Sequence, residues 1–130
     1  MLSKGIKSEE QEKLNQIIEA GLQMDFVPDL WKTEQRKSID EIFQQALGLA
    51  LDEVEALPNE EWLKRIKKHD LNFSNAEKIG DLLLKISFQE PEKIKSDLSR
   101  KAVMLYENAQ EEHKIFSFGL IQKIKNAKAE

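Results

Sequence analysis

Histidine and carboxylate side chains are the groups in this chain that could perform acid–base chemistry or bind a metal ion. The chain has only two histidines, His69 and His113. Asp70 directly follows His69, but adjacent helical positions do not place a carboxylate against an imidazole ring. The residues four and three positions before His113 are Ala109 and Gln110, so the carboxylate–histidine spacing of helical metal sites is missing. We therefore predict no metal site, and we expect His69 to be a surface histidine at a helix end.

Nucleophile and cofactor motifs are also missing from the sequence. The chain has no cysteine, which removes disulfides, zinc–thiolate sites, iron–sulfur clusters and cysteine nucleophiles. It contains no GxSxG, Walker A or GxGxxG pattern. The sequence therefore predicts a protein that is not an enzyme, with no catalytic residue and no cofactor.

Composition predicts the fold class. The chain has 130 residues, a length typical of one domain, and we expect residues 1–130 to form a single unit. It has three valines, one threonine and one tyrosine, whereas leucine, alanine, glutamate, lysine and glutamine are abundant. This composition predicts an all-α fold, a compact bundle of about six helices.

Apolar periodicity and turn residues divide the chain into segments. We predict an N-terminal helix that ends near Gly21 and a connector over 24–32, which contains Pro28. The connector completes an N-terminal part, 1–32, and the helical core is predicted to span 33–124. The first core helix covers about 33–47, and Gly48 stands where a C-terminal cap is expected.

Two helices between about 74 and 112 are predicted to form a hairpin. Ser74 and Glu77 have the spacing of a capping box, which favours a helix start there. Pro91 suits the first position of the next helix, because its missing N–H would have no partner there. Ser117 is predicted to cap a last helix after the hairpin.

Short motifs around this hairpin resemble a known family. Residues 46–49 (ALGL), 57–61 (LPNEE) and the 74–112 hairpin are similar to segments of a small family of uncharacterised, all-helical bacterial proteins. The resemblance covers 38–124, and the family's hairpins are similar to tetratricopeptide repeats. It implies an all-helical fold and a bacterial source, but it implies no activity.

The tetratricopeptide comparison rests on small and apolar positions in both helices. These positions are Ala76, Ile79, Gly80 and Leu83 in the first helix, and Ala102, Tyr106 and Ala109 in the second. Gly80 and Ala102 are 22 positions apart, whereas a standard repeat has about 12. Lys114 also stands where the repeat's closing proline is expected. The sequence therefore predicts one repeat-like hairpin with a long second helix, not a solenoid.

The beginning of the chain lacks the pattern of a targeting signal. Its first twenty residues carry seven charged side chains and no apolar segment. The sequence also has no apolar stretch near the roughly 20 residues of a membrane span. We therefore expect a cytoplasmic protein that does not contact a membrane.

A helix-turn-helix around 43–68 is the alternative functional interpretation, which would make the protein a DNA-binding regulator. Gly48 would be the turn glycine, but the following helix, 51–56 (LDEVEA), would bring three carboxylates towards the phosphates. Basic contacts would have to come from the cluster Lys64, Arg65, Lys67 and Lys68. With a net charge of −4 as well, we do not expect nucleic acid as the partner.

A protein-interaction module is the function that we predict first. Trp31 and Trp62 lie at element boundaries, where they could either seal the core or contact a partner. Phe116 and Phe118 flank Ser117, and at least one of them should be exposed. The candidate partner-binding residues are Trp31, Trp62, Arg65, Lys68 and Phe118. The partner is predicted to be another protein or a second copy of this chain.

Charge is uneven along the chain and bears on the choice of partner. Residues 1–65 carry a net charge of −6, and residues 66–130 carry +2. Solubility alone explains such a distribution. If it serves binding, it favours an acidic partner or a head-to-tail contact between copies.

Overall fold

Strand-forming residues are scarce in this chain, and the computed structural model contains helices and no strand among the residues that it describes. It describes the backbone of 2–69 and 71–129 and the side chains of 9–69 and 71–128. The elements are α1 (Leu2–Gln23), α2 (Pro28–Leu30), a π-helical turn (Trp31–Gln35), α3 (Arg36–Leu47), α4 (Leu51–Ala56), α5 (Asn59–Lys68), α6 (Phe73–Ser87), α7 (Glu92–His113) and α8 (Phe118–Ala129). Because α2, the turn and α3 are continuous, the described chain forms seven helical segments. The all-α prediction is confirmed.

Helix α1 ends close to the predicted position, but Gly21 lies inside the helix, so the prediction that it caps the helix is wrong. A Cβ atom at Gly21 would lie 2.8 Å from the Ile42 Cδ1 atom. The missing side chain therefore lets α1 approach α3, and α1 continues to Gln23. Gly48, in contrast, ends α3 with a left-handed φ of 68°, as predicted.

The predicted connector over 24–32 is shorter in the structure, because α2 begins at Pro28. Val27 is extended, as expected before proline, and Pro28 occupies the first turn of α2. The Gln35 side chain holds the remaining loop. Its Nε2 donates to the Asp25 carbonyl at 2.7 Å, and its Oε1 accepts from the Val27 amide at 2.9 Å.

Helix α6 lies between α7 and α1 and carries most of the long-range packing. Its cap is Asn72, whose side chain accepts a hydrogen bond from the Asn75 amide at 2.7 Å, so the predicted start at Ser74 is two residues late. Pro91 is likewise the N-cap of α7, one position before the helix.

Helices α6 and α7 form the hairpin that the sequence predicts, and they approach closely at Gly80. A Cβ atom there would lie 2.5 Å from Cε1 of Tyr106, so the tyrosine ring occupies the space that a side chain would fill. Ala102 and Ala109 are buried on the facing side. The likeness to tetratricopeptide repeats stays a prediction.

A single hydrophobic cluster joins the two ends of the described chain. Ile18 of α1 and Leu120 of α8 are fully buried in the same cluster as Leu82 and Leu83 of α6. Both terminal helices are therefore held against the hairpin, and what they present to solvent has a fixed position.

Candidate interaction surface

The two tryptophans do not belong to an accessible surface. Trp62 has no exposed area, and its indole nitrogen donates to the Lys101 carbonyl at 3.1 Å. Trp31 is 2% exposed and donates to Glu90 Oε1 at 3.1 Å. Both indoles bury their apolar rings and satisfy their N–H groups, which is the packing role that the sequence left open. The prediction that they contact a partner is therefore corrected.

Arg65 and Lys68 lie in the last turn of α5. Arg65 is half-buried and Lys68 is exposed. Both are near His69, and their positive charges add to the burial that lowers the pKa of its imidazole.

The segment proposed as a DNA reader has little of the expected geometry. Helix α4 has six residues, and Leu51 and Val54 are buried in the core. The carboxylates of Asp52 and Glu55 bind the Arg36 guanidinium, which also donates to Glu90 Oε1 at 2.5 Å. Burial raises the pKa of Glu55, and Arg36 opposes that shift. The carboxylates of Asp52 and Glu55 are thus paired within the chain, although Asp52 is exposed.

Phe118 is the most exposed large apolar side chain that the structure describes, at 92%. Phe116 is 62% exposed, so both phenylalanines that flank Ser117 face solvent. Ile115 and Ile121 are exposed beside them. We call these four residues, Ile115, Phe116, Phe118 and Ile121, the α8 patch.

The clustering of these residues distinguishes them from scattered surface apolar groups. Seven large apolar side chains are exposed among the described residues, and four of them lie within 115–121. The other three are Val27, Leu30 and Phe88, which lie in other segments. Single exposed apolar residues need no explanation, whereas a contiguous group is typical of a contact surface.

Helix α8 is fixed firmly enough to present such a surface. The Ser117 hydroxyl accepts a hydrogen bond from the Leu120 amide at 3.1 Å, which confirms Ser117 as the cap. Lys123 donates to Asp81 at 3.0 Å and to Glu77 at 3.1 Å, which ties α8 to α6. Asp81 also accepts from the Tyr106 hydroxyl at 2.6 Å. Burial and the bond to Asp81 raise the pKa of Tyr106.

All the charged side chains of α8 are positive. The twelve residues of this helix include Lys123, Lys125 and Lys128 and no carboxylate. Lys125 is exposed one helical turn beyond Ile121, on the same side of the helix. The outer face of α8 therefore changes from apolar at its beginning to basic towards its end.

The sequence points to Phe116 and Phe118 but not to Ile115 and Ile121. Ile121 is exposed, although it directly follows the buried Leu120. The spacing indicates that Ile121 is exposed, because it lies three residues after Phe118 on the same face of α8. Ile115 lies in the loop after α7, where helical periodicity gives no guidance.

The remaining candidates for chemistry are separated from one another. His113 Nε2 lies 3.1 Å from the Leu71 carbonyl and serves the packing between α7 and the loop before α6. Among the side chains of 9–69 and 71–128, no group of three or more His, Asp or Glu is placed to hold a metal ion. Over the same part of the chain, no helix is both long and apolar enough to cross a membrane.

Comparisons with protein-family models, with curated proteins and with solved structures found no match. The resemblance to the uncharacterised bacterial family stays a prediction, and the function has to be inferred from the molecule itself.

Proposed function

We propose that this protein is a non-catalytic protein-interaction module, and that the α8 patch binds an amphipathic helix of another protein. The observation that carries the proposal is the clustering of Phe116, Phe118 and Ile121 in solvent on a helix that is otherwise held to the core. Burying aromatic and aliphatic side chains in a partner's groove is the main source of affinity in such contacts.

A helix is the partner element that this surface fits best. Phe118, Ile121 and Lys125 are spaced three and four residues apart, so they form a stripe along one face of α8. A partner helix can pack its own apolar stripe against this row, as helices do in cores. Exposed apolar groups of the partner would be removed from water at the same time.

The lysines determine the expected charge of the partner. Lys123 is paired with Glu77 and Asp81, and Lys128 lies 3.6 Å from Glu107, so Lys125 is the α8 lysine for which the described residues supply no ion pair. Lys125 would repel its counterpart in a second copy of α8. A partner helix with glutamates beside its leucines meets no such repulsion. Complementary charge would mainly raise the association rate and reject basic partners.

The test uses a labelled helical peptide with a leucine stripe flanked by glutamates, and a matched peptide in which each glutamate is lysine. Fluorescence anisotropy should show binding of the acidic peptide and at least about tenfold weaker binding of the basic one. Phe118→Ala should abolish binding. The matched control is Phe88→Ala, because Phe88 is also exposed but lies outside the α8 patch.

If the protein binds a second copy of itself or DNA instead of a partner helix, the experiments give different results. Sedimentation velocity that shows dimers or chains, lost in Phe118→Ala, would replace the partner helix by a second copy. A salt-sensitive shift of DNA that Lys64→Ala and Lys68→Ala together abolish would replace the interaction module by a DNA-binding protein. Equal peptide binding by Phe118→Ala and Phe88→Ala would also contradict the proposal.

A further inference from the structure

A cavity on the opposite side of the hairpin from α8 has a different chemical character from the α8 patch. Its volume is about 420 Å³, which lies within the range of small-molecule sites. It is formed where α1, the end of α3, the loop after α5 and the start of α6 meet. Its apolar wall consists of Leu14, Ile17, Ala46 and Leu71.

Two polar side chains in the lining have buried atoms without a partner. Asn75 has no exposed area, and its Oδ1 makes no hydrogen bond with any described residue. His69 Nε2 is likewise buried and without a partner in the described part of the chain. Buried polar atoms are nearly always hydrogen-bonded, so a pair of exceptions beside one cavity needs an explanation.

The amide of Asn75 has a defined orientation. Its Nδ2 donates to the Gln11 carbonyl at 3.2 Å, and a carbonyl can accept only from the amide's nitrogen. Oδ1 is therefore the unpartnered atom, and it is a hydrogen-bond acceptor. The position of Asn75 in α6 is fixed by the Asn72 side chain, which accepts a hydrogen bond from the Asn75 backbone amide.

The unpartnered nitrogen of His69 is also an acceptor. Burial lowers the pKa of His69, with Arg65 and Lys68 contributing, so the ring is neutral at pH 7. The Leu47 backbone partly opposes this shift, as a carbonyl close to a ring N–H does. Because Nε2 has no partner among the described residues, we assign the proton to Nδ1, which leaves the Nε2 lone pair as an acceptor.

We propose that this cavity, which we call the α1 cavity, is a binding site for a small molecule with an apolar body and two hydrogen-bond donors. The donors, hydroxyl or amino groups, would bind His69 Nε2 and Asn75 Oδ1, while the body would lie against Leu14 and Ile17. This site is separate from the surface that binds the partner helix, and it does not depend on the proposed interaction.

The mouth of the α1 cavity carries both signs of charge. Glu10 and Lys13 are exposed and border it on α1. Neither side chain is buried, so the charge of the ligand is weakly selected there. The two buried acceptors are the groups that give the site its specificity, because an unpaired buried acceptor penalises any ligand that lacks the donor.

The probe is resorcinol, which has two hydroxyl donors on one ring, and its control is 1,3-dimethoxybenzene, which keeps the ring and has no donor. Amide chemical shifts of the full-length, isotope-labelled protein report the binding position. Resorcinol should perturb residues 10–17, 45–46 and 69–75, and the dimethyl ether should bind about tenfold more weakly.

Two variants separate recognition from folding. His69→Leu removes one acceptor and should reduce resorcinol affinity about fivefold, towards that of the ether. Ala46→Leu places extra carbon atoms in the cavity and should abolish binding while the protein keeps its helical spectrum. Phe118→Ala is the matched control and should bind resorcinol like the unmodified chain.

Three results would overturn the proposal. The first is equal affinity for resorcinol and its dimethyl ether, which would make the cavity an apolar space without polar recognition. The second is resorcinol binding that His69→Leu leaves unchanged. The third is no shift around the cavity with unmodified protein, a result that does not depend on whether any variant folds.

Discussion

The α8 patch and the α1 cavity depart from ordinary protein surfaces and interiors in opposite ways. At the α8 patch, large apolar side chains are exposed, while the polar groups that hold α8 to the hairpin, Tyr106, Asp81 and Lys123, are paired with one another. At the α1 cavity, buried and partly buried apolar side chains form the wall, and buried polar atoms of His69 and Asn75 have no partner among the described residues. Helix α6 contributes Asp81 to the contacts that hold α8 and Asn75 to the α1 cavity.

This difference shows how a helical domain without catalytic motifs can still have two chemically distinct regions. Exposed apolar side chains can be covered by the surface of a partner protein. Buried unpaired acceptors can be satisfied by a molecule that carries hydrogen-bond donors and is small enough to enter the cavity. Each region therefore implies a binder of a different size. The following predictions test whether the two regions differ as described.

The largest expected effect concerns the hairpin that supports both regions. Ala102 is fully buried in α7, so Ala102→Arg would overpack the core and bury a charge. We expect loss of the cooperative thermal transition followed by circular dichroism. Lys67→Ala, on the exposed side of α5, should keep a normal transition. Similar melting of the two variants would mean that the buried face is assigned wrongly.

A comparison of two aromatic residues should separate core from surface. Trp62→Ala should lower the free energy of unfolding by about 3–5 kcal/mol, because Trp62 is fully buried. Phe118→Ala should change it by less than about 0.5 kcal/mol, because Phe118 is almost fully exposed. Urea unfolding measures both. A large loss in Phe118→Ala would show that the patch is part of the core.

The hydrogen-bond network of Tyr106, Asp81 and Lys123 should make a moderate contribution to the stability of the fold. Tyr106→Phe removes the hydrogen bond to Asp81 and leaves Asp81 paired with Lys123. We expect the free energy of unfolding to fall by about 1 kcal/mol.

Tyr106 should also produce a pH dependence in alkaline solution. Its pKa is raised in the folded protein, so above the ordinary value of 10.0 the unfolded chain loses this proton first. Stability should therefore fall as the pH rises through 10.0, and Tyr106→Phe should remove that part of the decline. An unchanged slope in the variant would contradict the network.

The smallest expected change in stability is the one that His69 causes at acidic pH. Its pKa lies below the ordinary 6.5, chiefly because burial disfavours the charged ring. The unfolded chain therefore takes up a proton first as the pH falls below 6.5, and the stabilisation present above that value is lost. His69→Leu should show a smaller loss in this window, measured by urea unfolding at a series of pH values. Phe118→Ala should keep the slope of the unmodified protein.

Local patterns predicted the helices more accurately than their ends. Gly48 and Ser117 cap helices where the sequence predicts, because a left-handed turn and a side-chain cap are local requirements. Near α6 two caps compete two residues apart, and Asn72 is used instead of Ser74. Gly21 looked like a helix end, but its role is to let α1 approach Ile42, a contact that depends on the tertiary fold.

The candidate sites, like the helix ends, could be predicted only where local sequence determines them. Phe118 was a candidate because Phe116 and Phe118 flank Ser117 and alternate residues there point in opposite directions, so that one of the two rings is expected in solvent. The Trp62 indole nitrogen donates to the Lys101 carbonyl, 39 positions away in the sequence, and periodicity does not reveal this partner. The α1 cavity combines residues near 10–17, 45–46 and 69–75, so no contiguous segment carries its pattern. His69 was expected at the surface, and it is the C-cap of α5 with its Nε2 buried.

The most direct test of the account is one amide chemical-shift experiment in which the acidic peptide and resorcinol are added in turn. The account predicts two separate sets of perturbed residues, 115–125 for the peptide and 10–17, 45–46 and 69–75 for resorcinol. Saturation with either probe should leave the affinity for the other unchanged. A single overlapping set of shifts, or peptide shifts centred away from Phe118, would contradict the central claim that the two regions bind different partners.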